Sequence, residues 1–166
     1  MSKQGRTSSH SAGHGSMKQH YAMLGINLAI STVVMYFVMF SMIDGLGSFY
    51  HNINMFYMAL TMVAPMAMLM LLMMGSMYGN KRLNLILYIG FAALFIAAFA
   101  AIRTQVAVGD VQFVRSMIPH HSGAILMCQQ AELGDAELVR LCGEIVQAQR
   151  TEIEQMKAIL NRLGGQ

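Results

Sequence analysis

The sequence predicts an all-α protein, with three membrane-crossing helices followed by an extramembrane two-helix antiparallel hairpin. Three observations carry this expectation. The chain is 55% hydrophobic and only 11% charged, whereas an ordinary soluble domain is ~25% charged. Three stretches hold no Lys, Arg, Asp or Glu at all: Tyr21 to Ile43, Asn52 to Asn80 and Leu83 to Ile102. Each reaches the ~20 residues that cross a ~30 Å hydrocarbon core as a helix. Beyond Arg103 the character changes to mixed charge with helical periodicity. A chain of 166 residues has no layer of polar helices large enough to wrap three such segments as a soluble core.

Taken in order, residues 1–20 are polar, rich in Gly and Ser, and read as a disordered cytoplasmic tail. They include His10, His14, Met17 and His20, either a short metal-binding tract or simply a solvated tail. The first span, 21–43, is longer than the ~7–15 apolar residues of a signal peptide and lacks a small-residue cleavage site, so it reads as a retained anchor. The second span, 53–78, holds nine methionines between Met55 and Met77. Met55, Met58, Met62, Met66, Met70, Met73 and Met77 step by three or four residues, which draws a stripe down one helical face. Met35, Met39 and Met42 repeat the spacing on the first span. Methionine commonly just fills irregular gaps. The other reading is a path of soft thioether ligands inside the membrane. Pro65 is expected to kink this helix. The third span covers 83–102 and leads to the hairpin domain, 103–166.

Charge placement orients the spans. Lys3, Arg6 and Lys18 precede the first, and Lys81 and Arg82 lie between the second and third. The loop from Asp44 to His51 has no Lys or Arg, and just past the third span come only Arg103 and Arg115. The positive-inside rule then places the N-terminal tail in the cytoplasm and the hairpin outside. In a Gram-negative cell that is the inner membrane with a periplasmic C-terminal domain. No basic cluster with interleaved aromatics is present, so nucleic acid is not an expected partner. Membrane lipid is.

In the hairpin, Asp110 is expected to cap a helix of roughly Val111 to Leu133, ended by Gly134, and Asp135 to cap a second from Ala136 to about Leu160. An antiparallel turn at Gly134-Asp135 sets Cys128 opposite Cys142, His121 opposite Gln149 and Met117 near Glu152. Helical phase places Met117, His121, Ala124 and Cys128 on one seam, facing Cys142, Ile145, Gln149, Glu152 and Met156. His120 lies ~100° round from His121, with Phe113 and Met127, so the two histidines do not chelate one ion as a pair on a regular helix. Pro119, just before them, removes an amide hydrogen bond and can relax that limit. Thioether and thiolate donors select Cu(I), and imidazole takes copper or zinc. The zinc signature H-E-x-x-H, the di-iron Glu-x-x-His pair and Cys-x-x-Cys are all missing. Cys128 and Cys142 are ligands, a disulfide or plain core. On the residues alone, a metal seam and a packed core with incidental His and Met both stand. Two helices of this length do not bury a full core, so a homo-oligomer through the hairpin, or packing on the membrane helices, is expected.

The stretches "FVRSMIPHHSGAILM" and "LCGEIVQAQRTEIEQMKAIL" resemble the domain-of-unknown-function 305 family, placed in the ferritin-like superfamily. The family pattern, roughly M-I-x-H-H then I-x-x-x-Q-x-x-E-I-x-x-M, falls on Met117, Ile118, His120 and His121, then Ile145, Gln149, Glu152, Ile153 and Met156. "MYFVMFSMID" and "NMFYMALTMVAPM" look like a subgroup with an N-terminal transmembrane extension. The resemblance implies a periplasmic or secreted copper-binding protein that aids copper tolerance, with Met117, His120, His121 and Met156 as ligands. Gln149 and Glu152 would support them or bond between helices. With Met127, Cys128 and Cys142 added from the residues themselves, these form the expected metal set. The expected cargo is copper, Cu(I) in preference to Cu(II), held by ligand exchange and passed to a copper exporter or chaperone. No enzyme is expected, because no nucleophile–base–orienter set is visible. The competing reading is a structural or assembly module that oligomerises through the hairpin and the Met-rich helices without metal.

Overall fold

The computed structural model describes residues 10–164, with side chains from Lys18 onward. Among these residues the protein is all-α. Its helices are α1 (His10–Val38), α2 (Ile53–Met73), α3 (Lys81–Thr104), α4 (Asp110–Gln130) and α5 (Ala136–Arg162), with short 3₁₀ turns at Met39–Met42 and Leu46–Ser48. Three segments are long and apolar enough to cross a membrane: Lys18–Met42, Ile53–Met73 and Lys81–Thr104. They fall close to the expected spans, but the second stops at Met73 and the third begins two residues early. The tail expected to be disordered differs more. Residues 1–9 lie outside the described part, and from His10 the chain is already α1. Extending an established helix costs far less than starting one, so the apolar span carries its helix back into polar sequence.

The chain divides into two compact units. The first comprises the chain up to Met35 and Ala59–Ala100. Its core is Leu24, Leu28, Val63, Ala67, Leu71 and Tyr78, with Met66, Met70 and Leu87 packed on it. The methionine stripe of α2 is not the most buried face. That place belongs to Ala59, Val63, Ala64, Ala67 and Leu71, roughly a quarter turn away. Small residues let helix backbones approach closely where no water-driven force presses them together. Met62 and Met73 are instead largely exposed. So are Ile86, Ile89 and Ile96 of α3, an apolar surface compatible with a membrane protein. Pro65 sits inside α2 without ending it. Asn80 caps α3 through Leu83 N–H at 3.1 Å.

The second unit comprises Tyr36–Met58 and Ala101–Gln166. Here α4 and α5 pack along one another over Val114, Ile118, Ile125, Ile153 and Leu160. Cys128 and Cys142 form a disulfide with their Cα atoms 5.3 Å apart, and His121 meets Glu152 further along, so the two helices run in opposite directions. Asp135 caps α5, accepting from Leu138 N–H at 2.9 Å, as expected. Two expectations fail at the ends of α4. Gly109, not Asp110, occupies the cap position, and Asp110 sits in the first turn. The helix ends at Gln130 rather than near Gly134, because Ala131 turns to extended backbone so that the chain can reverse before Asp135. At the other end, Gln105 and Ala107 sit in the left-handed region (φ 53° and 59°). The Gln105 side chain steadies the turn by donating to Ile102 O at 2.6 Å.

The disulfide closes a loop with a sequence separation of 14. Such a loop is worth ~3 kcal/mol through loss of freedom in the unfolded chain. Reduction, or the Cys128→Ser/Cys142→Ser variant, should lower unfolding stability by about that amount. Thermal melts with and without reductant check this, and the double variant should no longer respond to reductant.

Candidate metal centre

The second unit brings two other pieces of chain onto one face of α4, each by an identifiable local cause. Pro119 lies within α4 and has no N–H to give the carbonyl four residues back. That carbonyl, Arg115 O, accepts from Asn52 Nδ2 at 3.5 Å. Asn52 is also the cap of α2, its Oδ1 accepting from Met55 N–H at 2.9 Å. Gln112 Oε1 accepts from Ile53 N–H at 3.0 Å, and Ser116 Oγ from Asn54 Nδ2 at 3.2 Å. The start of α2 is therefore stitched to α4 along its length. The end of the first span docks one turn further on. Asp44 N–H donates to the fully buried Ser122 Oγ at 2.7 Å, and Ser122 Oγ donates back to Asp44 Oδ1. Beside it Gly123 meets the Met42 backbone, where an added Cβ would lie 3.3 Å from Met42 O.

This docking encloses a cavity of about 550 Å³. Its soft donors come from all three pieces: Met39 and Met42, Met55 and Met58, then Met117 and His120 of α4. His120 makes no hydrogen bond among the described residues and is exposed, so its ring nitrogens are available. Asn54 also lines the cavity, and its buried Oδ1 accepts nothing among the described residues. An orphaned buried acceptor is uncommon and points to a missing partner at the site. No three His, Cys, Asp or Glu side chains come together among the described residues. The donor set is thioether and imidazole, the chemistry that selects Cu(I).

The remaining residues expected to bind metal sit elsewhere. His121 is buried on the α4–α5 side, its Nδ1 against Met117 O at 2.9 Å and its Nε2 against Glu152 Oε2 at 2.7 Å. The ring thus lies between a backbone carbonyl of its own helix and a carboxyl group of α5. In this arrangement the ring is a strut between helices rather than an open ligand. Met117 was expected on the same seam but turns with Phe113 and His120 to the cavity. The α4–α5 face is centred on Val114, Ile118, His121 and Ile125, shifting the expected phase by part of a turn. Met156 packs on that core. Met127 is 56% exposed and away from the cavity. Cys128 and Cys142, in their disulfide, offer no thiolate. Gln149 is partly buried on α5, outside the cavity. Of the α2 stripe, only Met55 and Met58 reach this cavity. The partnership of Met39 and Met42 with α4 joins distant stretches, and no periodicity in the sequence announces it. The one available signal was Gly123, a glycine inside a helix where it costs ~0.5–1 kcal/mol relative to alanine unless a close approach needs it.

A family model, the domain of unknown function DUF305, matches residues 96–164. A protein of Acanthamoeba polyphaga mimivirus, described as "Uncharacterized protein L153", is 34% identical over 120 residues, covering 71% of this chain and 77% of that one. The chain belongs to the DUF305 family. The family segment takes in the end of α3 with α4 and α5, so it contributes Met117 and His120 to the cavity, while the other four methionines come from before it. No solved structure matches the chain.

The glycines give a direct test of the docking. Gly123→Val pushes side chain into the Met42 backbone and should cost at least ~1–3 kcal/mol, the usual penalty for overpacking. Gly143, inside α5, has nothing within 4 Å of an added Cβ. Gly143→Ala should stabilise by about 0.5–1 kcal/mol, the helix-propensity difference. Thermal unfolding of the detergent-solubilised protein reads both, and opposite signs are expected.

Proposed function

We propose that this is a membrane-anchored copper-binding protein that captures Cu(I) outside the membrane, buffers it and relays it to an exporter or chaperone. The observation that carries the reading is the single cavity lined by Met39, Met42, Met55, Met58, Met117 and His120. Thioethers are soft and neutral and prefer Cu(I) over the harder, commoner cations. A wall with more of them than one ion needs allows stepwise ligand exchange, which suits hand-over rather than storage. The cavity opens to solvent through the exposed His120 and the half-exposed Met42 and Met58, which gives the cargo an entry.

In this reading the three apolar helices span the membrane, with the N-terminus and the Lys81 end in the cytoplasm and the cavity in the periplasm. Two observations support that sense. The Asp44 loop and α4 are hydrogen-bonded to one another, in keeping with both lying on the same, Lys-poor side. The Cys128–Cys142 disulfide suits an oxidising compartment. Leu138, Val139 and Leu141 leave an exposed apolar strip at the start of α5, a candidate surface for a second copy.

Titration of the purified protein with Cu(I) against a chromogenic chelator tests the proposal. Met39→Leu/Met42→Leu/Met117→Leu/His120→Ala should weaken binding at least ~100-fold, equivalent to about 2.7 kcal/mol. Leucine keeps the volume of methionine, so folding should survive. His121→Ala should leave the affinity within a few fold. Unchanged affinity in the cavity variant would exclude this site. If saturating Cu(I) left the melting curve of the wild-type protein unmoved, the metal-free assembly module would be the better reading, since a ligand at ~100 times its Kd adds ~2.7 kcal/mol.

A further inference from the structure

The first unit has its own cavity, of about 430 Å³. It is lined by His20 and Met23 of α1 and by Met70, Met74 and Met77 from the end of α2 and the turn beyond it. Its place in the sequence is beside Lys18 and Lys81, outside the segment that matches the family. His20 and Met23 are three residues apart on α1, and Met70 and Met74 four apart, so each pair shares a helical face. The histidine is also oriented. Its Nδ1 lies 3.2 Å from Met77 O, a carbonyl that can only accept, so Nδ1 carries the hydrogen. In the neutral ring Nε2 then keeps its lone pair. This is the arrangement that metal-binding histidines use, with one nitrogen donating to a carbonyl or carboxylate and the other bound to the ion. Here the anchoring carbonyl belongs to a residue whose own thioether lines the cavity.

Met23, Met74 and Met77 are 60%, 37% and 38% exposed, so their thioethers are accessible at the cavity. Met70 and Tyr78 form its floor, with Tyr78 only 5% exposed. The wall holds no Asp, Glu or Cys; beside the oxygen-bearing Asn27 and Tyr78, its soft donors are the imidazole of His20 and the thioethers.

We propose that His20 Nε2, with thioethers of Met23, Met70, Met74 and Met77, forms a second binding site for a soft monovalent cation, Cu(I) or Ag(I). Its donor chemistry is the same as that of the cavity in the other unit, but the two share no residue. Binding here does not depend on the function proposed above. On that reading it gives the protein a soft site on the cytoplasmic side as well, where an ion leaving the membrane region would be held.

The test uses the full-length protein in detergent, with Cu(I) or Ag(I) as probe and equilibrium dialysis as readout. His20→Ala/Met74→Leu/Met77→Leu should lower the stoichiometry by about one ion per chain, and the Met39/Met42/Met117/His120 variant by about one other. Stoichiometry unchanged in the His20 variant overturns this proposal and leaves the proposed function standing. Loss in the His20 variant alone does the reverse. Methyl-¹³C methionine spectra of the wild-type protein provide a check that needs no variant to fold. Ag(I) should shift the Met74 and Met77 methyl signals, and unmoved signals at saturation would overturn the assignment.

Discussion

The hydrogen bond that Pro119 cannot make is the constraint on which the second unit depends. Pro119 cannot supply the usual N–H to Arg115 O, and Asn52 Nδ2 approaches that carbonyl at 3.5 Å. Asn52 also starts α2, so one side chain fixes both where that helix begins and what it begins against. One turn further along α4, Ser122 and Gly123 receive the end of the first span, by a reciprocal hydrogen bond and by the absence of a side chain. The segment from Pro119 to Gly123 thus gathers two other chain segments onto one helix. The thioethers those segments carry then meet Met117 and His120. Adjacent histidines divide the work. His121 holds α4 to α5 through Glu152, and His120, with ring centroids 6.1 Å apart and planes 63° apart, turns to the cavity.

This division explains how the site can stay soft and accessible on a rigid support. His121, Ile118 and Ile125 anchor α4 against α5, and the disulfide closes the far end of the pair. Methionine side chains, unbranched and polarisable, can adjust on the opposite face without disturbing that packing. On the proposed function, the rigid part sets where the donors stand and the flexible part sets how readily they exchange.

Much of the fold was legible in the sequence, because hydropathy and charge act locally. Three uncharged stretches gave the three apolar helices to within a few residues. Asp135 announced α5, and the opposition of Cys128 and Cys142 followed from a short turn. The cavity was not legible in the same way. The spacing of Met39, Met42, Met55 and Met58 shows only repeats along separate helices, and their meeting with α4 is a long-range contact that periodicity does not encode. The phase error at Met117 had a different cause. Helical phase alone places Met117 in line with His121, Ala124 and Cys128. The real interface has a broader apolar centre at Val114, Ile118 and Ile125, which turns Met117 outward. Likewise the stripe on α2 drew attention to methionine, while its tightest contacts come from alanines that carry little signal in a hydrophobic segment.

On the proposed function, copper is held by the methionines and His120 that meet on α4, not by the α4–α5 seam. Anomalous scattering from crystals of the full-length protein loaded with Cu(I) tests it most directly. The account predicts a copper peak within bonding distance of His120 and at least two of the thioether sulfurs of Met39, Met42, Met55, Met58 and Met117. A peak between α4 and α5, at His121 and Met156 with the His121–Glu152 contact broken, would contradict it.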